Sequence, residues 1–274
     1  MKKIINGILS LTFMLSFALP TFASESIEHN LKLDSPNGSF SVLLSLENPI
    51  SVFSNKSNEI SINKTDQFVD ITSSISSYDT ITLDLSLPEN AYIVKKISPE
   101  TEENIVLIYN EDNYLMGVVD QAYIISETGE LTKMDYSIED NCIIFNSQPM
   151  AGTINARIYI QRDWSYYFYN RGYNPETSGT YHDFYMTINR FNFNADIASE
   201  FSTFEMSWDA INQTMSTDLS SGDRALWTSN INKMYNQYKC HYNFALQREE
   251  VWNLEAYRPD VSYINVCLAS CNPE

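Results

Sequence analysis

The sequence is poor in the residues that form most metal and catalytic sites. Its 274 residues include only three histidines; none has a second histidine at i+4, and no C-x-x-C pair occurs. Since zinc ligands commonly occur at such short spacings, no metal site is expected. The G-x-S-x-G motif, the Walker loop and the dinucleotide-binding glycine motif are also missing. The sequence therefore predicts no metal and no cofactor, and it leaves any catalytic residues unknown.

Basic residues are scarce as well. The chain has 17 Lys and Arg against 35 Asp and Glu, a net charge of −18. Nucleic acids are bound by clustered basic side chains that displace counterions from phosphates, so a nucleic-acid partner is not expected. Anionic lipid surfaces and cell-wall polymers would be repelled in the same way, unless divalent cations bridge them. The acidity alone would also keep a secreted protein soluble.

Long apolar runs are confined to the N-terminus. Lys2 and Lys3 precede an apolar stretch over Ile8–Leu19, then Pro20 and the small residues that end at Ala23. About 20 apolar residues are needed to cross a bilayer, and this stretch is shorter. It predicts a signal peptide over residues 1–23, cleaved after Ala23, and a secreted protein. No cysteine follows the cleavage site and no second apolar run occurs, so no membrane anchor is expected.

The patterning divides the remaining chain into two predicted domains. Residues 24–150 alternate between apolar and polar side chains in short runs separated by turn signals such as Pro36-Asn37-Gly38. This pattern predicts an all-β, sandwich-like domain. The clearest runs begin at Phe40, Glu59, Thr80, Asn104 and Cys142.

Residues 151–274 are predicted to form an α+β domain with about three helices. Thr153–Tyr169 alternates like a strand pair, and Tyr181–Phe193 is a further strand candidate. Apolar residues then recur every three or four positions, which places them on helix faces. The predicted faces are Phe204, Trp208, Ile211 and Met215; Trp227, Ile231, Met234 and Tyr238; and, after Pro259-Asp260, Ile264, Cys267, Leu268 and Cys271. The whole chain is thus predicted to be α+β.

Four cysteines in an exported chain favour disulfides over free thiols. A bond between Cys240 and Cys271 would join the third predicted helix to its neighbour. Cys267 lies one helical turn before Cys271 and could compete for Cys240. Cys142 could pair with Cys267 across the two domains or remain a buried thiol in a strand.

An unusual density of aromatic residues follows residue 163. If this segment is a strand, its aromatic side chains occupy both faces, which is more than one core face requires. Exposed Tyr and Trp provide rigid contact area, so a binding surface for a protein or a glycan is one interpretation. The alternative is that both faces are covered by the rest of the fold. The residues in question are Trp164, Tyr166, Tyr167, Tyr169 and Tyr173.

Candidate catalytic residues are weakly indicated. His182 and Asp183 could act as an acid–base pair or lie at a strand edge. Cys240 and His241 are adjacent, and neighbours in a strand point to opposite faces, so a catalytic pair is not expected. Acidic residues near aromatics are too numerous to define a glycosidase pair; they include Glu205, Glu249, Glu250, Glu255 and Asp260. The acidic clusters at 34–38 and 110–113 lack calcium-loop spacing and are interpreted as turns.

The C-terminal region resembles a known family. The residues that carry this resemblance are Cys240-His241, Phe244-Ala245, Trp252-Asn253-Leu254-Glu255, Arg258-Pro259 and Cys271-Asn272-Pro273. They resemble the closing signature of the exported bacterial family called domain of unknown function 2599. Ala256 and Ser262 depart from it, at positions where a Pro and a Gly are usual. The resemblance implies an exported bacterial protein with a Cys240–Cys271 bridge, and it assigns no activity. The stretch from Val118 to Phe145 more weakly resembles a module of secreted Gram-positive proteins.

Two functions remain in competition. The leading hypothesis is a non-enzymatic, extracellular interaction module whose aromatic segment contacts a surface or extracellular protein or a glycan. The alternative is an exported effector, either a cell-wall hydrolase or an antibacterial toxin, in which His182, Asp183 or Glu255 would take part.

Overall fold

The computed structural model describes residues 27–47, 60–75, 80–99, 101–146, 151–175, 182–195 and 199–271. The predicted signal peptide lies outside this part of the chain. The strands are β1 (Ile27–Ser35), β2 (Gly38–Glu47), β3 (Ile60–Lys64), β4 (Phe68–Ile75), β5 (Thr80–Ser86), β6 (Tyr92–Ile97), β7 (Asn104–Tyr109), β8 (Leu115–Val119), β9 (Tyr123–Ile125), β10 (Leu131–Lys133), β11 (Asp135–Glu139), β12 (Cys142–Asn146), β13 (Gly152–Ile160), β14 (Phe168–Pro175), β15 (His182–Ile188) and β16 (Val251–Glu255). The helices are α1 (Trp164–Tyr167), α2 (Arg190–Ala195), α3 (Glu200–Asp218), α4 (Ser221–Ser229), α5 (Ile231–Ala245) and α6 (Tyr263–Leu268).

The N-terminal half forms a sandwich of two antiparallel sheets. The first sheet has the order β1-β2-β5-β12-β11, and the second has the order β10-β9-β13-β8-β7-β6, with β4 pairing β13 and β3. Alternate residues of both sheets meet in one apolar core, as expected for strands with one buried face. Leu33, Leu44 and Leu83 of the first sheet and Ile71 and Ile158 of the second are fully buried there.

The second sheet is covered on both faces. In β7, Val106 and Ile108 face the sandwich core, whereas Ile105 and Leu107 belong to a second core formed with the C-terminal helices. All five residues of β8 are buried, and none of them has a polar side chain, as is usual for strands covered on both faces. This sheet therefore forms the middle of three layers.

The predicted domain boundary falls close to a strand that belongs to the first half. β13 begins at Gly152 and pairs antiparallel with β4, β8 and β9 of the sandwich. The chain thus leaves the second sheet only after Ile160.

The C-terminal half contains a three-stranded sheet, ordered β14-β15-β16, and all the helices of the described ranges. There are six, and three of them are long, so the predicted α+β class is confirmed. The predicted face of α3 is correct, since Phe204, Trp208, Ile211 and Met215 are all buried. Buried residues extend around the whole helix from Phe201 to Ile211, because the middle sheet lies on one side and α5 on the other.

Three predictions for this half are correct only in part. The strand expected over Tyr181–Phe193 is present, but it ends at Ile188 and is followed by α2. The second predicted helix is divided into α4 and α5 at Asn230, whose side chain donates a hydrogen bond to the Leu226 carbonyl at 2.7 Å. In α6, Ile264 and Leu268 do not face inward: they are 69% and 80% exposed, and Val266 is the buried residue.

The Cys240–Cys271 disulfide is confirmed. Cys240 lies inside α5, and the bond joins α5 to the chain segment just after α6. The alternative pairings of Cys267 and Cys142 are wrong, because both residues have free thiols.

Candidate ligand-binding cleft and buried carboxylates

The aromatic segment is not one strand. Asp163 accepts a hydrogen bond from the Ser165 N–H at 2.9 Å and caps a single helical turn over Trp164–Tyr167, and β14 begins only at Phe168. An Asp at this position stabilises a helix start because its carboxylate pairs with an otherwise unsatisfied N–H. The alternating pattern of the segment therefore predicted the wrong local structure.

The helical turn distributes the five predicted aromatic residues over different environments. Tyr167 is fully buried and packs edge-on against Tyr166. Trp164 is half-buried, and the Arg171 Cζ atom lies 3.7 Å from the centre of its ring. Tyr173 packs on Phe184. Tyr169 is 67% exposed. Tyr166 is half-buried and lines a cleft.

This cleft, called here the Tyr166 cleft, lies where three parts of the chain meet: the turn between β1 and β2, the connection from β13 into α1, and α2. It is an open cleft with a volume of about 540 Å³, within the range of about 300–1,000 Å³ that small-ligand sites occupy. Its lining consists of Asp34, Ser35, Pro36, Gln161, Arg162, Asp163, Ser165, Tyr166 and Asn192.

Two polar groups in this lining are buried without a hydrogen bond inside the described ranges. The Gln161 side chain is 1% exposed; its amide nitrogen donates to the Met206 carbonyl at 3.0 Å, but its amide oxygen accepts nothing. The Arg162 Nη2 atom also donates no hydrogen bond. Leaving such a group unpaired costs about 1–3 kcal/mol. Both atoms are shielded from solvent, so a ligand could pair with them only after a side-chain rearrangement.

Further buried polar atoms without a hydrogen bond lie beside the cleft. Asn189 Oδ1 and the Nε and Nη2 atoms of Arg190 are buried and lack hydrogen bonds among the residues that the structure describes. Asn189 and Asn192 both donate to the Tyr166 carbonyl, at 3.3 and 2.7 Å, and so connect α2 to the cleft wall. Buried polar atoms without a hydrogen bond thus also lie at the start of α2.

The charges of the cleft are mixed. Arg162 lies 5.6 Å from the centre of the Tyr166 ring and 3.9 Å from an Asp66 oxygen. The pKa of Asp34 is lowered, chiefly by the hydrogen bond from Ser39 and then by Lys32. Asp34 therefore remains ionised at the rim at neutral pH.

A second polar cluster is buried between the middle sheet and the helices. Glu205 is 4% exposed, and its Oε1 lies 2.6 Å from Lys96 Nζ and accepts from the Tyr235 hydroxyl at 3.1 Å. Asp209 accepts a hydrogen bond from the Leu115 N–H at 3.0 Å. Burial, together with the nearby Glu205 charge, raises the pKa of Asp209 to about 7. Desolvation disfavours the charged form of a carboxyl group, and a like charge does the same.

Sequence reasoning named Glu205 but missed Asp209. The available signal was their i, i+4 spacing in a predicted helix, which places both on one face. The sequence does not show that β6 and β8 cover this face of the helix. Judged from the sequence alone, the two residues look like ordinary solvent-exposed carboxylates.

The other acidic candidates have structural roles or lie at the surface. Glu255 accepts from the Tyr257 hydroxyl at 2.7 Å and also pairs with Arg258. Asp183 is opposite Glu255 in the β15–β16 ladder. The side chain of His182 lies outside the described atoms. Glu250 and Asp260 are exposed.

His241 belongs to the interior of α5 and not to a strand, so the geometric reason given for rejecting a Cys240–His241 pair was wrong. Cys240 is unable to act as a nucleophile because it forms the disulfide. His241 stacks on Trp252, with the two ring centres 5.9 Å apart. Burial lowers the pKa of His241, although the Glu249 carboxylate, 3.3 Å from its Nδ1 atom, opposes this shift. Among the described residues, no three His, Cys, Asp or Glu side chains are close enough to hold a metal ion.

Residues 197–274 match the model of a family described as "Protein of unknown function (DUF2599)". This agrees with the resemblance carried by the closing residues of the chain. No curated protein matches the chain, and no solved structure does. In the part of the chain that the structure describes, no helix is both long and apolar enough to cross a membrane. The matched family has no assigned activity.

Proposed function

We propose that the protein is a non-enzymatic extracellular interaction module that binds its partner in the Tyr166 cleft. The family that residues 197–274 match has no assigned activity, so the proposal starts from the structure. The observation that supports the proposal most directly is a cleft of ligand size in which the half-buried Tyr166 ring lies beside charged and polar side chains. Ligand sites commonly combine aromatic contact area with a few fixed polar groups.

Export is part of this proposal. A signal-peptide pattern over residues 1–23 supports it, as does the Cys240–Cys271 disulfide. Disulfides persist mainly in oxidising compartments. Mass spectrometry of the culture medium of the producing cell tests this part, with an N-terminus at Ser24 as the expected result. Retention of the uncleaved chain in the cytoplasm would contradict it.

The binding site is tested by screening a mixed set of short peptides and oligosaccharides by NMR. Ligands are expected to shift the backbone resonances of Arg162, Tyr166 and Asn192, which lie around the cleft. Tyr166→Ala should remove these shifts. Tyr169→Ala is the matched control, because Tyr169 is exposed in the same segment and outside the cleft lining. Ligand-induced shifts that persist in Tyr166→Ala, or the lack of any shift in the cleft, would refute the proposal.

One observation favours the alternative, an exported effector that hydrolyses cell-wall polymers or kills competitors. Burial beside Glu205 raises the pKa of Asp209 to about 7, and a carboxyl group with a raised pKa is suited to general acid catalysis. Incubation of purified peptidoglycan with the wild-type protein and with Asp209→Asn tests this function. New reducing ends formed only by the wild type would support the effector over the interaction module.

A further inference from the structure

We infer that the partner of the Tyr166 cleft presents a basic peptide segment, whose lysine or arginine side chains pair with the carboxylates of Asp34 and Asp163. This inference rests on the proposed binding function and specifies the chemistry of the partner. It depends on two exposed carboxylates of the cleft lining, which a ligand can reach without a side-chain rearrangement.

The two carboxylates belong to different parts of the chain that meet at the cleft. Asp34 lies near the end of β1, and Asp163 caps α1. In both residues the contacts within the protein are made by Oδ1, which accepts from the Ser39 hydroxyl in Asp34 and from the Ser165 N–H in Asp163. The Oδ2 atom of each accepts no hydrogen bond from the residues that the structure describes. An ionised carboxylate accepts at both oxygens, so each Oδ2 can pair with a donor in the cleft.

The basic side chain of the lining is less accessible than these carboxylates. The Arg162 side chain is 20% exposed, whereas that of Asp34 is 64% exposed. The Arg162 guanidinium lies near the Tyr166 ring and 3.9 Å from an Asp66 oxygen, which offsets part of its charge. Lys32 lies 3.1 Å from Asp34 Oδ1, outside the lining, and exposed ion pairs of this kind contribute little. A ligand in the cleft therefore meets more negative than positive charge.

The long-range field of the chain acts in the same direction. A net charge of −18 attracts cationic partners and repels anionic ones before contact. The local and the overall charge thus both favour a cation over a neutral or an anionic ligand.

The other side chains of the cleft favour a peptide over a metal ion. Among the described residues, no three His, Cys, Asp or Glu side chains are close enough to hold a metal. A lysine side chain has an apolar stem that can pack on Tyr166 and Pro36 while its ammonium group donates to a carboxylate. The exposed Ser165 and the half-buried Asn192 can form hydrogen bonds with the peptide groups of the same segment.

The inference is tested by titrating the disulfide-bonded protein with end-capped hexapeptides in which glycine alternates with lysine, serine or glutamate, measured by calorimetry and NMR. The lysine peptide is expected to shift the backbone resonances of Asp163, Ser165 and Asn192. The serine and glutamate peptides are expected to bind at least about tenfold more weakly, because they lack the ion pairs or oppose them. Binding of the lysine peptide should also weaken as salt is added.

Asp34→Asn and Asp163→Asn remove the two charges with little change of structure, because Asn still accepts hydrogen bonds and caps a helix as well as Asp does. Each should weaken binding of the lysine peptide about threefold, and the double variant about tenfold, as expected for exposed ion pairs. The matched control combines Asp112→Asn with Asp135→Asn, which removes the same formal charge at exposed positions outside the cleft lining. Its affinity should stay within about twofold of the wild type, because salt screens distant charges.

A further variant adds a charge to the cleft. Ser165 is exposed and lines the cleft, so Ser165→Lys places a cation there without removing a buried side chain. It should weaken binding of the lysine peptide and strengthen binding of the glutamate peptide, each by about threefold. Misfolding of the variant would not strengthen binding of either peptide.

The possible failures are distinguishable. If the lysine peptide binds the double variant at the cleft as tightly as it binds the control, the attraction comes from the acidic chain as a whole, and the inference is wrong. If the lysine peptide causes no shift but an uncharged peptide or an oligosaccharide binds in a Tyr166-dependent manner, the inference is wrong and the proposed function stands. If neither peptides nor oligosaccharides shift the cleft resonances, both the inference and the proposed function are wrong.

Discussion

Asp209→Asn should make the protein more stable at neutral and alkaline pH. The folded state raises the pKa of Asp209 from 3.8 to about 7, because the carboxyl group is buried and lies near Glu205. The folded protein therefore holds this proton more tightly than the unfolded chain does. The associated stability is fully present below about pH 4 and is lost as the pH rises through about 7.

The size of the effect follows from the shift. A difference of about three pKa units corresponds to roughly 4 kcal/mol of unfolding free energy, at 1.36 kcal/mol for each unit. Asn cannot ionise, and its amide oxygen can still accept the hydrogen bond from the Leu115 N–H. The variant should therefore avoid most of this loss above pH 7, and its advantage should shrink towards zero near pH 4.

The measurement is urea unfolding of the wild type and of Asp209→Asn at several pH values from 4 to 8.5. Asp135→Asn serves as the control, since Asp135 is exposed on β11 and the substitution removes the same formal charge. The control should shift the curves by less than about 0.5 kcal/mol, as surface substitutions usually do. If Asp209→Asn is less stable than the wild type at pH 8, the carboxylate gains more from the Leu115 N–H than it loses by burial, and the reasoning is wrong.

Two further predictions concern the core and the disulfide. Tyr167→Ala should cost about 3–5 kcal/mol in urea unfolding because the ring is fully buried, whereas Tyr169→Ala should cost less than about 0.5 kcal/mol; equal costs would contradict the assigned environments. Replacing Cys240 and Cys271 together by Ser should lower the unfolding free energy by roughly 3–4 kcal/mol, the loop-closure value for a separation of 31 residues. An unchanged melting temperature of that double variant under non-reducing conditions would show that the bond does not constrain the chain.

Short-range patterns predicted the regular parts of the fold well. The alternation from Thr80 became β5, and the spacing of Phe204, Trp208 and Ile211 correctly predicted one buried face of α3. These patterns suffice because a strand or a helix buries its side chains with a fixed period.

The patterns failed where one polar side chain decided the structure. Asp163 caps a helical turn within an apparently alternating segment, and Asn230 marks the break between α4 and α5. The cleft itself had no sequence signal. An unpaired amide oxygen on Gln161 depends on which groups distant parts of the chain bring next to it, and an ordinary glutamine in the sequence does not reveal that.

The pairing of β16 bears on what the family segment can do by itself. The matched residues 197–274 include β16 but not β15, the strand that pairs with it through Asp183–Thr187. A fragment that starts at residue 197 would leave that edge of β16 without its partner and would uncover Trp252 and Leu254, which are fully buried in the intact chain. It would also lose Asp120, the residue that accepts hydrogen bonds from Ser199 and Ser202 at the start of α3. The limits of sequence similarity thus cut across a sheet and a core, and the preceding part of the chain supplies a strand partner and a helix-capping carboxylate to the matched segment.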